Sequence, residues 1–158
     1  MRRRVRSSVG PDRYKTEGRK DRVENKLKLE IVTPYGLVLS DDVDEVVCSG
    51  SEGEFGVLPG HVPFFTTLKI GMLAYKKGNE TRYVFINWGY GEVGPDKVLI
   101  LADSAEKSED IDLERAKASM KRAEERLKKA EEADFARATS SLERGIARIQ
   151  VAEKKTSR

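Results

Sequence analysis

The sequence predicts a β + α chain, with a β domain first and an antiparallel pair of helices after it. Three observations carry this expectation. Short alternating apolar runs, broken by turn residues, recur from Leu27 to Ala102. Twelve of the thirteen glycines, all five prolines and ten of the eleven aromatic residues precede Asp96, so turn chemistry and bulky core residues sit together. From residue 103 the chain is rich in Ala, Glu, Lys and Arg, which favour helix.

Residues 1–26 stand apart. They hold ten Lys/Arg against four Asp/Glu and show no periodicity, which reads as a disordered basic tail. The tail has no apolar core of the kind a signal peptide needs. Its acids, Asp12, Glu17, Asp21 and Glu24, argue against a mitochondrial presequence. The net charge of +3 comes from this tail, because the remaining residues are net acidic, so a general nucleic-acid function is disfavoured.

Period two begins at Leu27, where Leu27, Leu29 and Ile31 alternate with Lys28 and Glu30. Further strands are expected over Leu37–Leu39, Val43–Cys48, Phe55–Leu58, Phe64–Leu68, Met72–Lys76, Thr81–Asn87, Tyr90–Val93 and Val98–Ala102. Asp41 and Asp42 are read as a turn, and Lys77-Gly78-Asn79 as the turn of a hairpin. Nine or ten short strands in so few residues argue for an all-β sandwich or barrel. The stretch Gly50–Leu73 is its turn-rich centre, with Gly50, Gly53, Gly56, Gly60 and Gly71 around Pro59 and Pro63. Glu52 and Glu54 flank Gly53 on the first bend, and His61 follows the second.

Two helices are expected after the β region. Asp110 is the candidate N-cap of the first, which carries Ala116, Met120, Ala123, Leu127 and Ala130 at heptad spacing. Asp134 is the candidate cap of the second, which carries Phe135, Ala138, Leu142, Gly145, Ile149 and Ala152. The short connection makes them antiparallel neighbours. Most seam positions are Ala or Gly, so the helices approach closely but bury little area, and Gly145 costs about 1 kcal/mol of helix propensity. Such a hairpin closes only marginally unless something else holds it. The expected divisions are 1–26, 27–104 and 105–158.

Catalytic chemistry finds little support. One histidine and one cysteine make neither a Ser/His/Asp set nor a His/Cys zinc site, and Cys48 in an apolar run reads as core. No phosphate-cradling G-x-x-x-x-G-K-S/T occurs, and no apolar run approaches the length of a membrane span.

The run Gly53-Glu54-Phe55-Gly56-Val57-Leu58-Pro59-Gly60-His61-Val62-Pro63, then Leu68-Lys69-Ile70-Gly71-Met72-Leu73, then IDLERAKA over 111–118 and LERGIARIQVAEK over 142–154, resembles the epsilon subunit of F-type ATP synthases. The resemblance covers about Lys26 to Lys155. It implies a ten-stranded β sandwich followed by a two-helix hairpin, in a non-catalytic subunit of the central rotor stalk. The implied partners are the gamma subunit, the ring of c subunits and the catalytic alpha/beta subunits. Nucleic acid is not among them, and membrane contact comes only through the complex. The implied place is the cytoplasmic face of the bacterial inner membrane. The hairpin would inhibit ATP hydrolysis by extending along gamma.

The ring-facing loop of the family falls on Glu52, Gly53 and Glu54, with His61 beside it. Some bacterial members bind regulatory ATP in the folded hairpin, though no cofactor is required. Their I/L-D-x-x-R-A motif is matched by Ile111, Asp112, Arg115 and Ala116. Glu106, Arg122, Arg144 and Arg148 match the other positions. Helical spacing agrees: Arg115 and Arg122 share one face, Arg144 and Arg148 another, and guanidinium groups suit triphosphate oxygens. The competing reading is an unrelated binding module, a β sandwich whose hairpin dimerises and whose basic tail acts as an anchor.

Overall fold

A computed structural model of the chain describes residues 25–154. The basic tail expected over 1–26 lies outside the described residues except for its last two, as do residues 155–158. Eight strands come first: β1 (Leu27–Thr33), β2 (Gly36–Val43), β3 (Glu45–Gly50), β4 (Gly53–Val57), β5 (Phe64–Leu68), β6 (Gly71–Lys77), β7 (Glu80–Val93) and β8 (Lys97–Lys107). A short 3-10 turn (Ser108–Asp110) leads to helices α1 (Leu113–Lys129) and α2 (Glu132–Glu153). The β-then-α order is as expected.

The strand count among the described residues is eight, not the ten the resemblance implied, and it is one below the nine segments named from the residues because two of those join. Thr81–Asn87 and Tyr90–Val93 are one strand, β7, of 14 residues. It bends at Trp88 (φ 49°) and Gly89 (φ 145°) without losing register against β8. Before the bend β7 pairs with β6, and after it with β5. The break between β5 and β6, at Lys69-Ile70, stands opposite Trp88. One bent ladder thus turns from one layer of the sandwich into the other. A Cβ at Gly89 would lie 2.0 Å from the Leu101 carbonyl oxygen, so only glycine lets the two backbones meet there.

Asp41 and Asp42 lie within β2 rather than in a turn. Cross-strand pairing outweighs their turn preference: Asp42 faces Lys28 in register, and the two side chains approach to 3.5 Å. Asp41 accepts from Lys77 Nζ at 2.6 Å. The hairpin at Gly78-Asn79 forms as expected, with Lys77 opposite Glu80 and Gly78 at φ 60°. β8 runs past residue 104 to Lys107, so the expected domain boundary falls inside a strand.

The sandwich core gathers Leu27, Leu29 and Ile31 of β1 against residues such as Val46, Cys48, Leu73 and Val84, all buried. Alternation along β7 sends Val84 and Ile86 into this core and Phe85 to the opposite face. There Phe85 is fully buried in a second cluster with Ile111, Ala116, Ala147 and Val151. Helix α2 therefore has two apolar stripes. Ala138 and Gly145 are buried along the expected seam, whereas Ala147 and Val151 pack toward the sandwich. Phe135, expected in the seam, is 54% exposed in the first turn of α2.

Candidate functional site

The hairpin begins differently from the sequence expectation. Asp112, not Asp110, caps α1, accepting the Arg115 backbone N–H at 3.0 Å, while Asp110 ends the 3-10 turn. Glu131 occupies the N-cap position of α2 without a side-chain bond, and Asp134 sits in the first turn, where a carboxylate suits the helix dipole. The seam is tight: a Cβ on Gly145 would stand 3.0 Å from Met120 Cβ and 3.1 Å from its Cα.

The structure brings Glu106 and Arg148 together. Arg148 Nε donates to Glu106 Oε1 at 2.8 Å, Nη2 lies 2.7 Å from the same oxygen, and the guanidinium lies 4.3 Å from the centre of the Phe85 ring. β8 supplies Glu106, β7 supplies Phe85 and α2 supplies Arg148, so the contact fastens hairpin to sandwich. Lys154 adds a weaker contact, its Nζ 5.7 Å from the Tyr83 ring centre. Ile111 and Ala116 are buried in the cluster beneath α2. Arg115 and Arg122 are exposed on α1, and Arg144 donates to the neutral Ser141 hydroxyl at 3.0 Å. Among the described residues, Arg115, Arg122 and Arg144 make no ion pair. A large groove near the hairpin's closed end takes in Arg122 alone of the eight residues.

Phe85 and Tyr83 escaped sequence reasoning. The near-continuous apolar run Tyr83–Ile86 was the available signal, since a strand covered on both faces loses its alternation.

The second candidate region is the β3–β4 hairpin. Gly50 pairs with Gly53, leaving Ser51 and Glu52 as the loop, and Gly53 has φ 133°. Glu52, Gly53 and Glu54 are all exposed. The loop is fastened to β5, with Ser51 N–H donating to Thr67 O at 2.9 Å and Thr67 Oγ1 to Ser51 Oγ at 2.7 Å. His61 is half-buried in the next loop, its ring centre 5.3 Å from that of Phe64, which packs edge-on to Phe55 of β4 at 5.2 Å. This aromatic chain joins the His61 loop to the β4 strand. His61 Nδ1 lies 2.8 Å from the Val62 carbonyl, a local contact.

A broad apolar surface completes the picture. Phe65 of β5 stacks on Tyr90 of β7 with ring centres 5.6 Å apart, and Leu101 of β8 lies beside Tyr90 in register. With Trp88 these are the exposed large side chains on the outer face of three neighbouring strands. No helix among the described residues is long and apolar enough to cross a membrane.

Residues 26–108 match the family model for the ATP synthase delta/epsilon chain β-sandwich domain, and residues 109–153 that for the ATP synthase delta/epsilon chain long α-helix domain. The ATP synthase epsilon chain of Thermodesulfovibrio yellowstonii is 58% identical over 106 residues, 67% of this chain and 76% of that one. That of Geotalea uraniireducens is 60% identical over 103 residues, 65% of this chain and 75% of that one. Among solved structures, a chain of the Euglena gracilis mitochondrial ATP synthase, OSCP/F1/c-ring, superimposes with a TM-score of 0.72 at 23% identity, covering 93% of this chain and 91% of that one. The chain belongs to the ATP synthase epsilon chain family. Epsilon chains are non-catalytic subunits of that synthase.

Proposed function

We propose that this chain is a rotor subunit that joins gamma to the ring of c subunits, and that its hairpin inhibits ATP hydrolysis and is held closed by ATP. The observation that carries the nucleotide reading is the state of the arginines. Arg115, Arg122 and Arg144 stand on the closed hairpin without an ion pair among the described residues. A polyphosphate bridging α1 and α2 would accept hydrogen bonds from both helices and so add a cross-link to a seam of small residues. At about 100 times its dissociation constant such a ligand stabilises the closed form by roughly 2.7 kcal/mol. Falling ATP would then release the hairpin toward the catalytic alpha/beta subunits. ATP acts here as a regulatory ligand, not a cofactor of catalysis.

Docking follows from the two surfaces of the sandwich. The exposed Phe65, Tyr90, Trp88 and Leu101 face suits a large apolar contact with gamma, since aromatic anchors dominate such interfaces. The Glu52–Glu54 tip, with His61 near its base, presents carboxylates to basic loops of the c-ring. Held by these contacts, the subunit lies peripherally at the cytoplasmic face of the inner membrane.

Calorimetric titration of ATP into the full chain tests the sensor, with Arg115→Ala and Arg144→Ala as controls. Binding that both substitutions weaken supports it, and no heat at millimolar ATP removes it. Co-purification with gamma, reduced by Tyr90→Lys, tests the docking face.

A further inference from the structure

The groove near the closed end of the hairpin is separate from the Glu106–Arg148 contact. It is open, has a volume of about 520 Å³, and is lined from α1 by Arg122, Arg126 and Lys129 and from α2 by Arg137. The α1 residues recur at spacings of four and three, so they stack on one helix face. Like charges stacked this way repel unless a counter-charge lies between them. Two carboxylates, Glu125 and Asp134, also line the groove. Even so, none of the four cations comes within ion-pair distance of a carboxylate among the described residues. Four cations against two carboxylates leave the groove with net positive charge, contributed by both helices.

We propose that this groove is a binding site for a small, multiply charged oxyanion of the phosphate class, which would span α1 and α2 near their connection. Its guanidinium groups offer paired donors that match tetrahedral oxyanions. The groove is roomy enough for the anion to keep part of its hydration. The site shares only Arg122 with the proposed nucleotide set and does not depend on that set. Its ligand is a free inorganic phosphate or polyphosphate, or else the phosphate tail of a nucleotide.

The test is calorimetric titration of sodium pyrophosphate, and separately of ATP, into the full chain at low ionic strength. Three variants are compared: Arg126→Ala/Arg137→Ala, Arg115→Ala and, on the sandwich, Lys69→Ala/Lys76→Ala. All the substituted side chains are exposed, and alanine preserves helix, which circular dichroism checks. The expected result is one pyrophosphate per chain, weakened tenfold or more by Arg126→Ala/Arg137→Ala and little by the other two. Retention of ATP binding by Arg126→Ala/Arg137→Ala marks the groove as a site for the free anion, and parallel loss of both ligands assigns it to the nucleotide tail. The proposal is overturned if pyrophosphate does not bind, if Arg126→Ala/Arg137→Ala leaves its affinity unchanged, or if the sandwich variant lowers it equally. Loss through Arg115→Ala alone would send the anion to the nucleotide set and likewise overturn it. The effect of Arg115→Ala on ATP decides the sensor reading separately.

Discussion

Arg148 and Glu106, 42 residues apart in the chain, meet through a hydrogen bond and a close ion-pair contact onto a single carboxylate oxygen, beneath which lies the buried ring of Phe85. The side chains are 27% and 35% exposed, so the ion pair is partly screened. Its contribution is of order 1 kcal/mol, with a similar addition from the ring. Arg148→Ala should leave the β domain intact and speed hydrogen exchange of α2 amides by about tenfold or more, since the two contacts together contribute roughly 2 kcal/mol. Glu106→Gln should do less, because the amide oxygen still accepts. Equal exchange in wild type and Arg148→Ala would show that Ala147 and Val151 alone hold the hairpin.

Gly145→Ala sets two effects against each other. Alanine gains about 1 kcal/mol of helix propensity. Its Cβ, however, would meet Met120 Cβ at 3.0 Å and Cα at 3.1 Å, and a backbone atom cannot move aside as a flexible side chain would. The expected outcome is a less tightly closed hairpin, read as a larger distance between spin labels on Lys121 and Glu143. A more stable hairpin with the wild-type distance would show that α1 shifts at little cost.

Gly89→Ala should be among the most damaging single changes in the chain. The new Cβ would fall 2.0 Å from the Leu101 carbonyl oxygen at φ 145°. A loss of about 3 kcal/mol or more is expected, enough to lower the thermal midpoint sharply. Gly56→Ala, which meets nothing within 4 Å, is the matched control.

Cys48 should be inert while the protein is folded. Burial pushes its thiol up to about 12, so thiolate is scarce at neutral pH. Labelling by a maleimide at pH 7.5 should proceed only at the rate of unfolding and become fast in denaturant.

Asp44 makes part of the acid limb of stability. The hydrogen bond from Lys26 and then that from the Gly78 backbone N–H hold its carboxyl below the ordinary carboxylate range. A group depressed on folding stabilises above its unfolded pKa, about 4, and that stabilisation is lost as pH falls through the folded value. Asp44→Asn should therefore flatten the fall in thermal midpoint below about pH 4. An unchanged slope would assign the limb to other carboxylates.

Several of these features were legible in the residues and several were not. The alternation of Leu27, Leu29 and Ile31 announced a half-buried strand, and Ala116, Ala123 and Ala138 announced the seam. The joined strand β7 was hidden because a glycine that bends a strand looks the same in sequence as one that ends it. The second stripe of α2 was hidden because Ala147 and Val151, four residues apart, repeat the seam's own spacing while facing a different partner. Asp112 and Asp110 are equally good caps locally, and the 3-10 turn decides between them. The meeting of Glu106 with Arg148 depends on how the hairpin docks, which no short-range pattern encodes. A bend near Gly53 was readable from its glycines, but its place was not: Gly53 and Glu54 pair with Gly50 and Ser49 inside β4, which leaves Ser51 and Glu52 as the loop.

The link between β8 and α1 also sets a mechanical scale. Strand pairing ends at Lys107, opposite Val84, and α1 starts at Leu113. A handful of residues thus joins the helices to the sandwich, and no strand need separate for them to swing away. Helices α1 and α2 together hold 39 residues. Folded back on themselves they reach little more than the length of α2, about 33 Å, but end to end they would span about 58 Å. If the hairpin opens as proposed, its reach would nearly double, and the small contact around Phe85 is what it would have to release.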